Sequence, residues 1–211
     1  MTEEKWFAES DTRRLLGLSS GKVSARKLRL FMVAWCRFNR ERITVPVIFE
    51  AIELAERFVE GQANKKQLER GFEQRRGMLV GTPLGCLIWP DSKQMEDCVE
   101  LFCLNGQNWE PGRADDHGES YRAGQLTRSL MFRDVVGNPF RPVAFDPAWR
   151  TSTAVALARQ MYESREFLAM PILADALQDA GCEDEAILTH CRDANQPHVR
   201  GCWVCDLVLG L

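Results

Sequence analysis

A chain of 211 residues, 45% hydrophobic and 27% charged, is long enough to bury a substantial core and too balanced in composition for a disordered or fibrous protein. Its longest apolar runs, such as MLVGTPLGCLIW at 78–89, fall short of the roughly 18 residues that span a bilayer, and MTEEKWFAES at the start lacks the basic and apolar regions of an export signal. A cytoplasmic protein with no membrane partner is therefore expected, and most of its eight cysteines are expected to be thiols rather than parts of a disulfide framework.

The net charge of −3 is unevenly spread. Residues 1–76 hold 16 Lys/Arg against 11 Asp/Glu, a net of +5, and residues 77–211 hold 11 against 19, a net of −8. Such asymmetry fits a nucleic-acid surface or a basic half docking on an acidic half, and sign alone does not choose.

In chain order, SARKLRLFMVAWCRFNRER at 24–42 spaces Leu28, Phe31, Trp35 and Phe38 by three and four, which predicts one apolar helix face with Ser24 as N-cap. Arg26, Lys27 and Arg29, with Arg37, Arg40 and Arg42, fall mainly off that stripe, and Lys65, Lys66, Arg75 and Arg76 extend the basic patch. This patch is the candidate for phosphate contacts, although a solvated or internally paired face reads the same way. VPVIFEAIELAERFVEGQ at 45–62 predicts a second helix ending near Gly61, and NKKQLERGFEQRR a third over 64–76, giving an α-hairpin or three-helix N-terminal unit.

The Gly, Pro and apolar residues of 77–91 predict a connector that packs inward, with a short strand within it. A helix is predicted over 91–105, and the polar 106–120 reads as an exposed loop holding His117, a solvated histidine beside two aspartates. A helix over 119–137 closes at Gly137, and Pro139, Pro142 and Pro147 then forbid helix through a crossing segment anchored by Phe140, Val143, Phe145 and Trp149. Four helices follow: 152–164, capped by Ser152 or Thr153; 171–182, with Pro171 at N1 and Gly181 just past the end; one from about 183 to 192; and a last one from about Pro197 to Leu209, with Val199, Trp203 and Leu207 at four-residue spacing.

The densest chemistry lies in HCRDANQPHVRGCWVCDL at 190–207, two of the three histidines and three cysteines in eighteen positions. Cys191, His198, Cys202 and Cys205 form C-x6-H-x3-C-x2-C, with His190 as a substitute ligand, and thiolate with imidazole is the donor set that zinc takes. A second C-x2-C is lacking, so packing at two helix ends competes with zinc, and a redox C-x-x-C or a cysteine–histidine nucleophile stands behind both. No H-E-x-x-H, Walker A or G-x-G-x-x-G pattern occurs in the sequence, and no catalytic residue or cofactor is assigned, zinc being the alternative.

GNPFRPVAFDPAW, MPILADALQDAGC and HCRDANQPHVRGCWVCDLVLG resemble the motifs GNPFRPV, PILADALxxAGC and HCR…HVRGCWxxDxxLG of an uncharacterised, heavily paralogous bacterial family expanded in planctomycetes. KWFAESDTRRLLGLSSGKVSARKLRLFMVAWCR is more loosely similar to the family's opening, and the pieces cover about half of the chain. The resemblance implies no activity, but it implies one patterned unit: Arg141 within Asn138–Pro142, Asp175, His190, Cys191, Arg192, His198, Arg200, Gly201, Cys202, Trp203 and Asp206, with Cys205 outside it. Arg200 with Asp206, and Asp175 with one of the arginines, are the ion pairs that would fix such a unit, because charges set among Trp203, Cys202 and Leu207 need partners when buried.

The resulting expectation is an all-α protein of seven to nine short helices in orthogonal or hairpin-like packing. It divides into a basic helical unit at 1–76, a connector and variable helical segment at 77–118 and a C-terminal helical unit at 119–211, together one compact domain. The expected function is a non-enzymatic protein-interaction or regulatory module whose partner is another protein. A zinc-binding or enzymatic protein using 190–205, and a nucleic-acid binder using the N-terminal helices, are the alternatives.

Overall fold

A computed structural model describes residues 2–43, 46–79, 85–89, 94–105 and 119–211 of the chain. His117 lies outside the described residues. Every regular element within them is helical: α1 (Glu3–Ala8), α2 (Thr12–Ser19), α3 (Ala25–Phe38), α4 (Pro46–Val59), α5 (Lys65–Leu79), α6 (Met95–Asn105), α7 (Glu119–Val136), α8 (Ser152–Ser164), α9 (Met170–Asp179), α10 (Glu185–Arg192) and α11 (Trp203–Leu209), with 3-10 turns at Arg40–Arg42, Gly85–Ile88 and Pro147–Trp149. The all-α expectation holds, with eleven α-helices among the described residues against the seven to nine helices expected. The two additional ones, α1 and α2, are short pieces that bury Trp6, Leu15 and Leu16.

The chain divides into two compact units, Met1–Ser129 and Leu130–Leu211. The division falls inside α7, eleven residues beyond the boundary expected at 119. In the first unit α3 is the central element and packs on α4 and α6. Ser24 caps it by accepting from the Lys27 amide at 3.3 Å. The predicted stripe understates its burial, since all positions from Leu28 to Cys36 are buried while Phe38 is largely exposed and stacks on Trp35.

Asn64 and Gln67 form a reciprocal capping box at the start of α5. Of the 77–91 connector, residues 77–79 complete α5 and the described 85–89 pack inward through Cys86, Leu87 and Ile88 as a 3-10 turn, with no strand among the described residues. Two carbonyls there, of Leu87 and Trp89, accept from Arg29, which fixes the segment without any strand pairing.

The second unit is built on a continuous core of Ala154, Ala158, Met161, Leu173, Leu177, Ile187, Val204 and Val208, with four cysteines among them. Here α9 packs on α10 and α8, and α11 packs on α8 and α10. Thr151, rather than Ser152 or Thr153, caps α8 by accepting from the Ala154 amide, and Asp184 caps α10 by accepting from the Ala186 and Ile187 amides. Because α9 begins at Met170, Pro171 sits one position further in than expected, still where its missing N–H costs nothing.

The largest departure is α11, which starts at Trp203 and not near Pro197. Two physical causes act on 197–202. Gly201 takes a φ of 97°, outside the helical region, and the Val199 amide is drawn out of any helix to donate to the Asp134 carboxylate at 2.8 Å. The segment is a strap across the end of α7, held further by Gln196, whose Nε2 donates to the Leu130 carbonyl at 3.1 Å.

Candidate metal centre

The strap and its flanks bring four side chains of the second unit to one point. Asp134 comes from the last turn of α7, His190 from the last turn of α10, His198 from the strap, and Cys202 from the residue that precedes α11. One donor atom from each lies within 4.8 Å of all the others. Asp134 Oδ1 stands 2.8 Å from His198 Nδ1 and 3.1 Å from His190 Nε2. Cys202 Sγ stands 3.3 Å from that same His190 Nε2 and 4.0 Å from that same His198 Nδ1.

Neighbouring groups orient each of them. The second oxygen of Asp134 is taken by the Val199 amide, so a single carboxylate oxygen faces the focus. The two imidazoles meet edge to face at 4.9 Å, and Trp203 packs on His190 with centroids 5.0 Å apart. Trp203 is in turn seated on Gly137, where a Cβ would stand 3.2 Å from its ring, so a glycine at the end of α7 both closes the helix with a φ of 74° and makes room for the aromatic wall.

The electrostatics follow from burial and mutual contact. Asp134 is wholly buried, which works against its charge, yet the hydrogen bonds from His190 and His198 hold its carboxyl below the usual value. Burial also works against charge on both imidazoles, and this is outweighed by Cys202 and Asp134, which push His190 up to about 9, and by Asp134 and Cys202, which push His198 up to about 10. Burial, helped by its hydrogen bond to Cys205 and by the Asp134 charge, pushes the Cys202 thiol far up.

Of the four ligands read from the sequence, His198 and Cys202 belong to this focus, and His190 takes part as well. Cys191 and Cys205 are not among the converging groups. Cys191 is one residue from His190, a turn of about 100° around α10, and its thiol is buried with its pKa raised by desolvation. Cys205 is buried against Met170, with the sulfurs 3.7 Å apart. Asp134 was missed, although MFRDVVG places an acid inside an apolar run whose Met131, Phe132 and Val135 are all buried.

The rest of the patterned unit serves the frame. Arg192 donates to Asp175 at 2.6 Å and to Gln178 at 2.7 Å, tying α10 to α9 as an exposed pair. Arg200 donates to the Tyr162 carbonyl at 2.7 Å and lies over the Tyr162 ring, while Asp206 is buried in the first turn of α11. Arg141 is exposed.

In the first unit the basic patch is largely engaged within the chain. Arg29 is buried and so presents no surface charge, Arg26 stands 3.8 Å from Glu60, and Lys27 is half-buried. Arg37 and Arg75 pair with Glu56 and Glu50.

No helix among the described residues is long and apolar enough to cross a membrane. No family model, curated protein or solved structure matches the sequence.

Proposed function

We propose that the second unit binds one zinc ion through Asp134, His190, His198 and Cys202, and that the ion acts as a structural clasp in a non-catalytic helical module. The observation that carries this reading is the convergence of four donor atoms on one point. In a tetrahedral zinc site with bonds of about 2.0–2.3 Å, neighbouring donors stand roughly 3.3–3.8 Å apart. Four of the contacts, at 2.8, 3.1, 3.3 and 4.0 Å, bracket that range and all donor atoms lie within 4.8 Å of one another, so seating an ion asks for shifts of up to about 1 Å.

The alternative chemistry for the same residue types is a Cys–His–Asp triad, and the geometry speaks against it. A triad base uses one ring nitrogen for the nucleophile and the other for the carboxylate. Here each imidazole presents a single nitrogen to both Asp134 and Cys202, which is the arrangement of ligands around a common centre. The Cys202 thiol is also pushed toward its protonated, unreactive form. Four protein donors leave no open position for substrate, and one carboxylate oxygen fixed by a backbone amide is the outer contact that orients a ligand.

An intermolecular role for the module is supported by Leu168, 92% exposed, and Ile172, 58% exposed, at the start of α9. In this reading the chain belongs with the paralogous family its motifs resemble, and the clasp is what holds the HCR…HVRGCW segment in shape for a protein partner. Elemental analysis of the purified chain tests the metal: about one zinc per chain is expected, falling severalfold in Asp134→Asn and in Cys202→Ser but not in Cys191→Ala. Equal zinc content in all four proteins would refute the ligand set.

A further inference from the structure

We infer that Cys205 is a resolving thiol for Cys202, so that peroxide converts the pair to a disulfide and expels the ion, making the clasp sensitive to oxidation. This rests on the zinc reading above. The two cysteines are the C-x-x-C of the sequence, and the structure gives them separate tasks: Cys202 faces the donor focus, whereas Cys205 is outside it.

The two sulfurs are nonetheless neighbours. Cys202 precedes α11 and Cys205 is its third residue, so both sit on the same first turn. The main-chain bond from the Asp206 amide to the Cys202 carbonyl closes the same turn, holding the two residues one helical turn apart. Residues so spaced have Cβ atoms about 5–6 Å apart, against roughly 3.5–4.5 Å across a disulfide. Closing that gap of about 1–2 Å falls to Cys202, whose φ of −46° and ψ of 128° already lie outside the helix.

On the far side Cys205 meets the Met170 thioether, an apolar wall that offers no competing ligand. Cys191 comes from α10 rather than from this turn.

The chemistry balances with hydrogen peroxide as oxidant. Zinc holds Cys202 as the thiolate, which attacks one peroxide oxygen. The O–O bond breaks, and sulfenic acid and hydroxide form. The Cys205 thiol then attacks the sulfenic sulfur, the S–OH bond breaks, and disulfide and water form. Two thiol sulfurs are oxidised and one peroxide is reduced.

The ion, left with three donors, dissociates, and the 197–201 strap loses a tie to α7. Both sulfurs are closed to solvent, and His190 and His198, which contact Cys202, have side chains only 13% and 7% exposed. The reaction is therefore slow beside that of an exposed thiolate and answers sustained oxidant.

The test uses the zinc-loaded full chain, with zinc counted before treatment. Hydrogen peroxide is added, release is followed with a metallochromic dye, and thiol pairing is mapped by non-reducing peptide mass spectrometry. Zinc release with a Cys202–Cys205 disulfide, reversed by dithiothreitol and added zinc, is the expected result.

In Cys205→Ser the starting zinc content should match the wild type. Peroxide should then carry Cys202 on to sulfinic acid, with zinc loss that reduction does not repair. Retained zinc, a disulfide mapped to Cys191 or Cys182, or reversible release in Cys205→Ser would each overturn the inference while leaving the zinc reading intact. A chain that holds no zinc at the outset overturns both.

Discussion

At the scale of single residues, Asp134 is the group on which the site depends. It receives both imidazoles and the Val199 amide in a position with no solvent exposure. Replacing one member of such a buried network leaves the others uncompensated, at a cost of about 3–5 kcal/mol. Asp134→Ala should accordingly lower the unfolding free energy of metal-free protein by about that amount in a urea titration, and Asp134→Asn by less because the amide keeps an acceptor. A change within experimental error for Asp134→Ala would mean that the carboxylate is not the anchor.

This residue also marks what could be read from the sequence. The density of Cys and His between 190 and 207 marks three of the four converging side chains, because those three are close in the chain. Asp134 lies 64 residues before His198 and carries no local pattern beyond an acid among apolar neighbours, so only the fold brings it in. Cys191 and Cys205 had the right chemistry at the right spacing and the wrong direction, which is a matter of helical phase.

At the scale of elements, most helices were legible because caps and periodicity act locally. Ser24, Gly61, Gly137, Gly181 and the acids before α10 are all placed where the sequence puts helix ends. The start of α11 was not legible, since Val199, Trp203 and Leu207 continue a helical spacing across a segment that two long-range contacts, Val199 to Asp134 and Gln196 to Leu130, hold in another conformation. Tertiary bonds outweighed periodicity there.

Two substitutions check the joints. Gly137→Ala meets both a left-handed φ and Trp203 at 3.2 Å, so it should destabilise by about 1–2 kcal/mol or more and alter tryptophan fluorescence. Asp184→Ala removes an acceptor of two amides and should cost about 1 kcal/mol without changing zinc content. A neutral Gly137→Ala would show that Trp203 does not rest where the structure has it.

At the scale of the whole molecule, the account predicts how protons and zinc compete. In metal-free protein the contribution of His190 and His198 to stability is fully present below their ordinary value near 6.5. It is lost as pH rises through about 9 for His190 and about 10 for His198, because their folded values are raised. Zinc requires the opposite state, neutral imidazole and thiolate, so uptake at neutral pH must release protons. Apparent zinc affinity should climb with pH by about tenfold per unit for each proton displaced, and calorimetry in buffers of different ionisation enthalpy should register that release.

The all-helical class and the cysteines' free thiols were readable from composition and spacing, because those depend on no distant contact. The division within α7 was not, since the helix runs unbroken across it.

The most direct test of the central claim is the visible and near-ultraviolet spectrum of the chain loaded with cobalt(II) in place of zinc. Intense ligand-field bands of a four-coordinate ion together with a thiolate-to-cobalt charge-transfer band are predicted, the latter lost in Cys202→Ser and retained in Cys205→Ser. A weak six-coordinate spectrum with no charge-transfer band, or a band that survives Cys202→Ser, would contradict it.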